Sequence, residues 1–407
     1  MADPSTPEPT PASGPGALPQ TPQEALREQQ GSLIRRLWAV TAVPLAAVLL
    51  AFLVGALVIM ASSFAIKGSF DPFLPLTAYA ALLEGGLGIG SANPINALTG
   101  SIVNAAPLLL AGLSVAIGFK AGLFNIGATG QFVIGGLAAC VVGGMVATSS
   151  PLIAIPLAVI AGAAAGALYG FIPGLLKAVT GAHEVVTTIM LNYIATYTAT
   201  ALVIFAFRAP GFTFDRTADV GNAALPVVFG RDLNIGVFVA LAFVPLMTWL
   251  IWRTTIGFEI RTVGANPSAA RYAGMSPRRL IVLTMSLCGM LSGLAGTILF
   301  LGEIGFYPAT FGTAIGFDAI AIALLGRAHP VGVLFGALLF GVMRAGAPLM
   351  QIRAEVPLEI IDVLQAIILF FLAADVIVRR LFRFRATRAG VDELSTVTRT
   401  YGEQAVR

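Results

Sequence analysis

Lysine is almost absent from this 407-residue chain, which holds only Lys67, Lys120 and Lys177. None is followed by Ser or Thr, so the G-x-x-x-x-G-K-[ST] cradle that holds nucleotide phosphates is missing. The only histidines, His183 and His329, lie far apart in the sequence, with no clustered carboxylates or G-x-S-x-G elbow beside them. That leaves no parts for a hydrolytic centre. The only cysteines, Cys140 and Cys288, sit inside apolar runs without metal-ligand spacing, which points to core packing and to no metal site. Charged residues make up 11% of the chain, where soluble domains carry about a quarter.

Apolar residues fill that gap. They form 57% of the chain, and the mean hydropathy is +0.89. A bilayer-spanning helix needs roughly 20 apolar residues at 1.5 Å rise. Stretches that meet or approach this are 38–62, 102–119, 126–148, 152–176, 185–207, 234–252, 280–301, 330–347 and 359–378, with a shorter tenth at 314–326. Lipid satisfies no backbone hydrogen bonds, and the period-2 alternation of a membrane barrel is missing, so the spans are helices. The expected fold is an all-α, polytopic membrane protein of about ten helices.

Arginine placement predicts orientation. Arg27, Arg35 and Arg36 precede the first span, Arg253, Arg261, Arg271, Arg278 and Arg279 fill the loop 253–279, and Arg379, Arg380, Arg383, Arg385 and Arg388 follow the last. Ten spans put all three clusters and both termini in the cytoplasm of a bacterial cell with an inner membrane; nine or eleven would strand one cluster outside. Loop 208–233 balances Arg208, Arg216 and Arg231 against Asp215, Asp219 and Asp232, which suits an external connection. The expected domains are a disordered tail over 1–34, whose first 30 residues hold seven prolines, a membrane domain over 35–382, and a basic, polar tail over 383–407. The first apolar run is too long and lacks the cleavage site of a removable signal peptide, so it is expected to stay as an anchor.

Three segments carry the functional signal. Gly122-Leu123-Phe124-Asn125-Ile126-Gly127-Ala128-Thr129-Gly130-Gln131 follows one span and opens another, with three glycines and an amide at membrane depth. Such a break is tolerated where it lines a cavity or is buried in protein, or it is simply a tight loop. In Glu184-Val185-Val186-Thr187-Thr188-Ile189-Met190-Leu191-Asn192-Tyr193-Ile194, Glu184, Thr188 and Asn192 fall four apart and share a helix face, for a route through the membrane or for bonds between helices. In the loop 253–279, Asn266, Pro267 and Gly274 read as the N-cap, first residue and C-terminal glycine of a very short helix containing Ser268, Ala269 and Ala270. A docking knob or a plain helical decoration would both fit. Ionisable groups in spans are costly: Asp318, beside Phe317 in the short eighth span, suits a route or a helix N-terminus, and Arg344 and Asp362 fall at similar depth and could pair.

In these runs the chain resembles the permease subunits of ATP-binding cassette importers, in the family that handles branched-chain amino acids, simple sugars and nucleosides. The resemblance covers roughly 100–380 and is closest to nucleoside-type permeases. A ribose-type permease usually has Asp at the place of Asn125 and lacks the Thr-Thr-Ile-Met-Leu-Asn run. Ser268 stands where the family's coupling motif has Glu, which removes a salt bridge but not the helix. The resemblance implies inverted halves with Gly-broken helices, the type II importer architecture. It also implies a second, homologous or identical permease subunit, an ATPase subunit with two fused nucleotide-binding domains that binds the ATP and magnesium, and a substrate-binding lipoprotein. Membrane lipid surrounds the assembly, and nucleic acid is not among the expected partners. The substrate-path candidates are then Asn125, Gln131, Thr188, Asn192, Phe317 and Asp318, and the ATPase-coupling candidates Asn266, Pro267, Ser268, Ala269, Ala270 and Gly274. A permease for a simple sugar such as ribose and a secondary transporter are the alternatives.

Overall fold

Proline and glycine set most helix boundaries. The computed structural model describes residues 22–374 apart from 69, 70, 231 and 313. Its helices are α1 (Pro22–Lys67), α2 (Leu74–Leu87), α3 (Pro94–Lys120), α4 (Ala128–Met145), α5 (Pro151–Thr180), α6 (Glu184–Phe205), α7 (Ile235–Arg253), α8 (Thr255–Ala265), α9 (Pro267–Tyr272), α10 (Pro277–Leu299), α11 (Ile315–Leu325), α12 (Pro330–Ala354) and α13 (Glu359–Ala373). Pro94, Pro151, Pro267, Pro277 and Pro330 open their helices, where a missing N–H leaves no bond unmade. Gly88 and Gly181 close α2 and α5 with φ of 74° and 73°, a left-handed turn that a side chain would resist. Apart from short turns and an antiparallel ribbon of β1 (Val227–Phe229) and β2 (Leu233–Asn234), the described residues are all-α.

Among the described residues, eight segments are long and apolar enough to cross a membrane: Pro44–Ala65 within α1, then α3, α4, α5, α6 and α7, the stretch Pro277–Ile304, and α12. The other two expected spans are shorter, with 11 residues in α11 and 15 in α13, and the end of 359–378 lies outside the described residues. Two helices have no counterpart in the span pattern. α2 is only 14 residues long and buries Gly86 against α12, while α8 lies in the loop with Gly257, Ile260 and Val263 buried on one side. α1 starts at Pro22, so 22–34 are helical rather than part of an unstructured tail. Residues 1–21, the basic cluster Arg379–Arg388 and the tail 383–407 lie outside the described residues.

α3 is the central helix, packed by α12, α10, α11 and α7, and most residues of its apolar stretch are buried. α5 and α6 lie at the periphery, with few residues of their apolar stretches buried, and turn Leu152, Leu168, Tyr197 and Phe205 outward. Large exposed apolar side chains on a helix surface are what a lipid solvent selects. Between helices the hydrophobic drive is weak in lipid, so close van der Waals approach takes its place. Gly162, Gly166, Gly170 and Gly174 recur every fourth residue on α5; the first three face Gly289 and Gly293 of α10, and Gly174 faces Met285. A Cβ on Gly166 would collide with the Gly289 carbonyl, and one on Gly135 of α4 with the Gly293 backbone.

The two ends of the bundle differ. At one end the segment 208–225 is stapled to 301–309 through Ala309 N to Asp215 O (2.8 Å), Thr217 N to Tyr307 O (3.0 Å) and Leu225 N to Leu301 O (2.8 Å). Arg216 is clamped there between the rings of Phe212 and Phe306, 3.7 and 4.0 Å from their centroids. α7 then runs away from this cap to α8 and α9 at the opposite end.

Candidate functional site

The first motif unwinds between α3 and α4. Gly122 turns the chain at φ +67°, and regular helix resumes at Ala128. Its capping position, Gly127, has no side chain to serve the free N–H groups of the first turn. Asn192 of α6 supplies what is missing: its Oδ1 accepts from Gly130 N at 2.8 Å, and its Nδ2 donates to Ile126 O at 2.9 Å. Away from water these backbone groups would otherwise stay unsatisfied, at about 1–3 kcal/mol each. The third partner is Tyr169 of α5, whose hydroxyl donates to Leu191 O at 2.7 Å and fixes the turn that carries Asn192.

Behind the break lies a neutral polar network. Asn125 and Gln131 pair through both amides, at 2.9 and 3.1 Å, and Asn125 Nδ2 also donates to Ser114 Oγ of α3 at 3.3 Å. Ser292 of α10 donates to the same Ser114 hydroxyl at 2.9 Å. All four side chains are buried. Thr188 turns its hydroxyl back to Glu184 O at 2.6 Å and presses its carbon face on the break, 3.1 Å from where a Cβ of Gly127 would stand. Glu184 is buried in an ion pair with Lys177. The structure thus gathers Asn125, Gln131, Thr188 and Asn192 into one unit, with their hydrogen-bonding groups engaged by protein. Ser114, Ser292 and Tyr169 carry no periodic or motif signal that would have singled them out.

The second interrupted helix meets the first. A Cβ on Gly316, in the first turn of α11, would lie 3.0 Å from Thr129 N in the first turn of α4. One residue on, Phe317 is exposed, whereas Asp318 is buried in an ion pair with Arg344 of α12. This corrects the expected pairing of Arg344 with Asp362: Asp318 holds Arg344 across helices, and Asp362 borders a pocket of about 280 Å³ with Arg344 and Glu359. Position 318 lies in the opening turn of α11, where the helix dipole adds to the pull of the guanidinium.

The loop 253–279 carries the short helix that its caps announce. Asn266 Oδ1 accepts from Ala269 N at 3.0 Å, Gly274 has φ +82°, and Met275 N closes on Ala270 O at 3.0 Å. Within α9, Ala270 is fully buried, whereas Ser268, Ala269, Arg271 and Tyr272 are exposed, Tyr272 to 95%. Ala270 therefore seats the helix rather than touching a partner. Gly264, near the end of α8, packs on the break itself: a Cβ on Gly122 would lie 3.1 Å from Gly264 O, and one on Gly264 would strike the Lys120 carbonyl. The exposed knob and the unwound segment are therefore neighbours through two glycines.

A family described as branched-chain amino acid transport system, permease component, matches residues 97–373. A nucleoside ABC transporter permease protein of Lactococcus lactis is 36% identical over 375 residues, 89% of this chain and 98% of that protein. A guanosine ABC transporter permease protein of Bacillus subtilis is 38% identical over 347 residues, 83% of this chain and 94% of its own. A glucose ABC transporter permease protein of Haloferax volcanii is 33% identical over 326 residues, covering 73% and 85%. No solved structure matches.

Proposed function

The chain belongs to the permease-component family of the branched-chain amino acid transport system, and from that premise we propose that it is the membrane subunit of an ATP-driven nucleoside importer. It is a multi-pass membrane protein. The observation that carries the nucleoside reading is the near full-length likeness to nucleoside and guanosine permeases. The two runs behind the resemblance, 122–131 and 184–194, also form one hydrogen-bonded unit. A glucose permease at 33% identity supports a sugar as the second reading.

As a family, such permeases work with an ATPase and a substrate-binding protein. For this chain we assign ATP and magnesium to an ATPase subunit with two fused nucleotide-binding domains, delivery to a binding lipoprotein, and the other half of the pathway to a second permease. The ATPase docks on the exposed face of α9, from Ser268 to Tyr272. Its stroke reaches the break at Gly122 through Gly264, and the neutral unit around Asn192 moves as one piece beside Phe317 and the Asp318–Arg344 pair. Neutral amides suit this place, because they join helices without bringing a fixed charge into the membrane.

The deciding experiment reconstitutes the permease with its ATPase and binding protein in vesicles and measures ATP-dependent uptake of purine and pyrimidine nucleosides against glucose and ribose. Nucleoside uptake that saturates while sugars are ignored is the expected result, and the reverse preference overturns the nucleoside assignment. Sidedness follows from Asn222→Cys and Ser268→Cys, both at exposed positions in a chain whose two native cysteines are buried. The first should react with an impermeant external thiol reagent and the second should not.

A further inference from the structure

The glycine stripe that welds α5 to α10 ends at Gly174, whose Cβ would stand 2.8 Å from Met285 Cβ. The next position in register is Ala178, and from there the helices part to leave a groove of about 430 Å³. Its apolar walls are Leu175 and Val179, four apart on α5, and the adjacent Val282 and Leu283 on α10. One turn nearer the helix end, Arg278 and Arg279 stand over Val282 and Leu283 at the same i, i+4 spacing and close the mouth. Both arginines are exposed, and neither has an ion-pair partner among the described residues. We propose that this groove is a binding site for one anionic phospholipid, with an acyl chain between the apolar walls and the phosphate on Arg278 and Arg279.

Three features favour lipid over other occupants. The groove lies where α5 ends and α10 begins, two helices of spanning length, so its apolar walls stand at the edge of the acyl region and its mouth at the headgroups. The wall is apolar and the mouth doubly basic, the amphipathic order of an anionic lipid and the reverse of a soluble nucleotide site. The arginines also occupy the end of α10 that follows loop 253–279, where the positive-inside pattern puts the anionic leaflet. Arginine suits the task, since its stem can lie along apolar surface while the planar head pairs two oxygens of a phosphate.

The test uses the full chain in its transporter complex, in bilayers of phosphatidylcholine containing a minor fraction of labelled phosphatidylglycerol. The association constant of that label is measured relative to labelled phosphatidylcholine. It should fall about fivefold for each arginine removed in Arg278→Gln and Arg279→Gln, and salt should weaken the wild-type preference while leaving the double variant unaffected. Val282→Trp, which fills the groove and keeps both arginines, should also abolish the preference. Arg253→Gln, an exposed arginine on the same loop but outside the groove and the docking helix, should leave the lipid preference unchanged. Equal losses in Arg253→Gln would make the effect a diffuse surface charge and overturn the site. An unchanged lipid preference in the double variant, with release of the ATPase subunit instead, would assign the arginines to a protein partner. The readout involves no transport, so it stands apart from the identity of the substrate.

Discussion

The two interrupted helices, α4 and α11, start side by side yet are finished by different chemistry. At α4 the free ends are met by neutral amides, Asn192 on the backbone and Asn125 with Gln131 behind it. At α11 the opening turn carries a charge, Asp318, balanced by Arg344. Neutral bonds between helices are individually modest and lose little when they shift, whereas a buried charge pair is costly to break from either side. The contrast suggests a hinge at α4 beside a fixed post at α11.

The largest expected effect comes from splitting the charged post. Arg344→Ala leaves Asp318 buried without its cation and should cost about 3–5 kcal/mol, seen as lost membrane abundance and a lower melting temperature in detergent. The double change Asp318→Leu with Arg344→Leu should recover most of that stability, and a double variant as unstable as the single one would remove the pair from the comparison. Next is the hinge. Asn192→Leu orphans Gly130 N and Ile126 O at a part-buried position and should cost about 2–3 kcal/mol in all, more than the roughly 0.5–1.5 kcal/mol of one neutral contact to a substrate. Melting and maximal uptake should fall together; if uptake alone falls, Asn192 touches the substrate instead.

Smaller still is the amide pair behind the hinge. Asn125→Leu strands the Gln131 amide and should cost about 1–3 kcal/mol, while Asn125→Leu with Gln131→Leu should return close to wild-type melting. Additive losses in the two single variants would show that the pair is not coupled. The smallest effect on stability is at the exposed knob: Tyr272→Ala should stay within about 0.5 kcal/mol yet weaken association with the ATPase subunit and lower substrate-stimulated hydrolysis. Normal hydrolysis there would move the docking face elsewhere. Ala270→Asp is no test of docking, because it puts a charge into the buried seat of α9.

The legible parts of the site were local. Asn266, Pro267 and Gly274 bounded α9 because a cap is a bond between residues three apart, written within one turn. The Gly122–Gly130 interruption was legible for the same reason, as was the grouping of Thr188 with Asn192 on one helix face. Their engagement was not: the partner of Asn192 lies 62 residues away at Gly130, and that of Arg344 lies 26 away at Asp318. Depth along the helices made Asp362 an equal candidate for Arg344, and only the packing of α11 against α12 chose between them.

What the sequence determined by itself was the solvent, the helical class, most span positions and the caps, since each depends on hydropathy or on hydrogen bonds within a few residues. α2 escaped because 14 residues fall below spanning length, and its place against α12 comes from Gly85 and Gly86 meeting the backbone near Val342 and Gly346. Tertiary structure alone decided that the knob's neighbour Gly264 lies on Gly122, that Ala270 turns inward, and that four polar side chains from three helices and the break close into one buried network. Those outcomes depend on interhelical distances set by glycine contacts across the bundle, which no single stretch of the chain encodes.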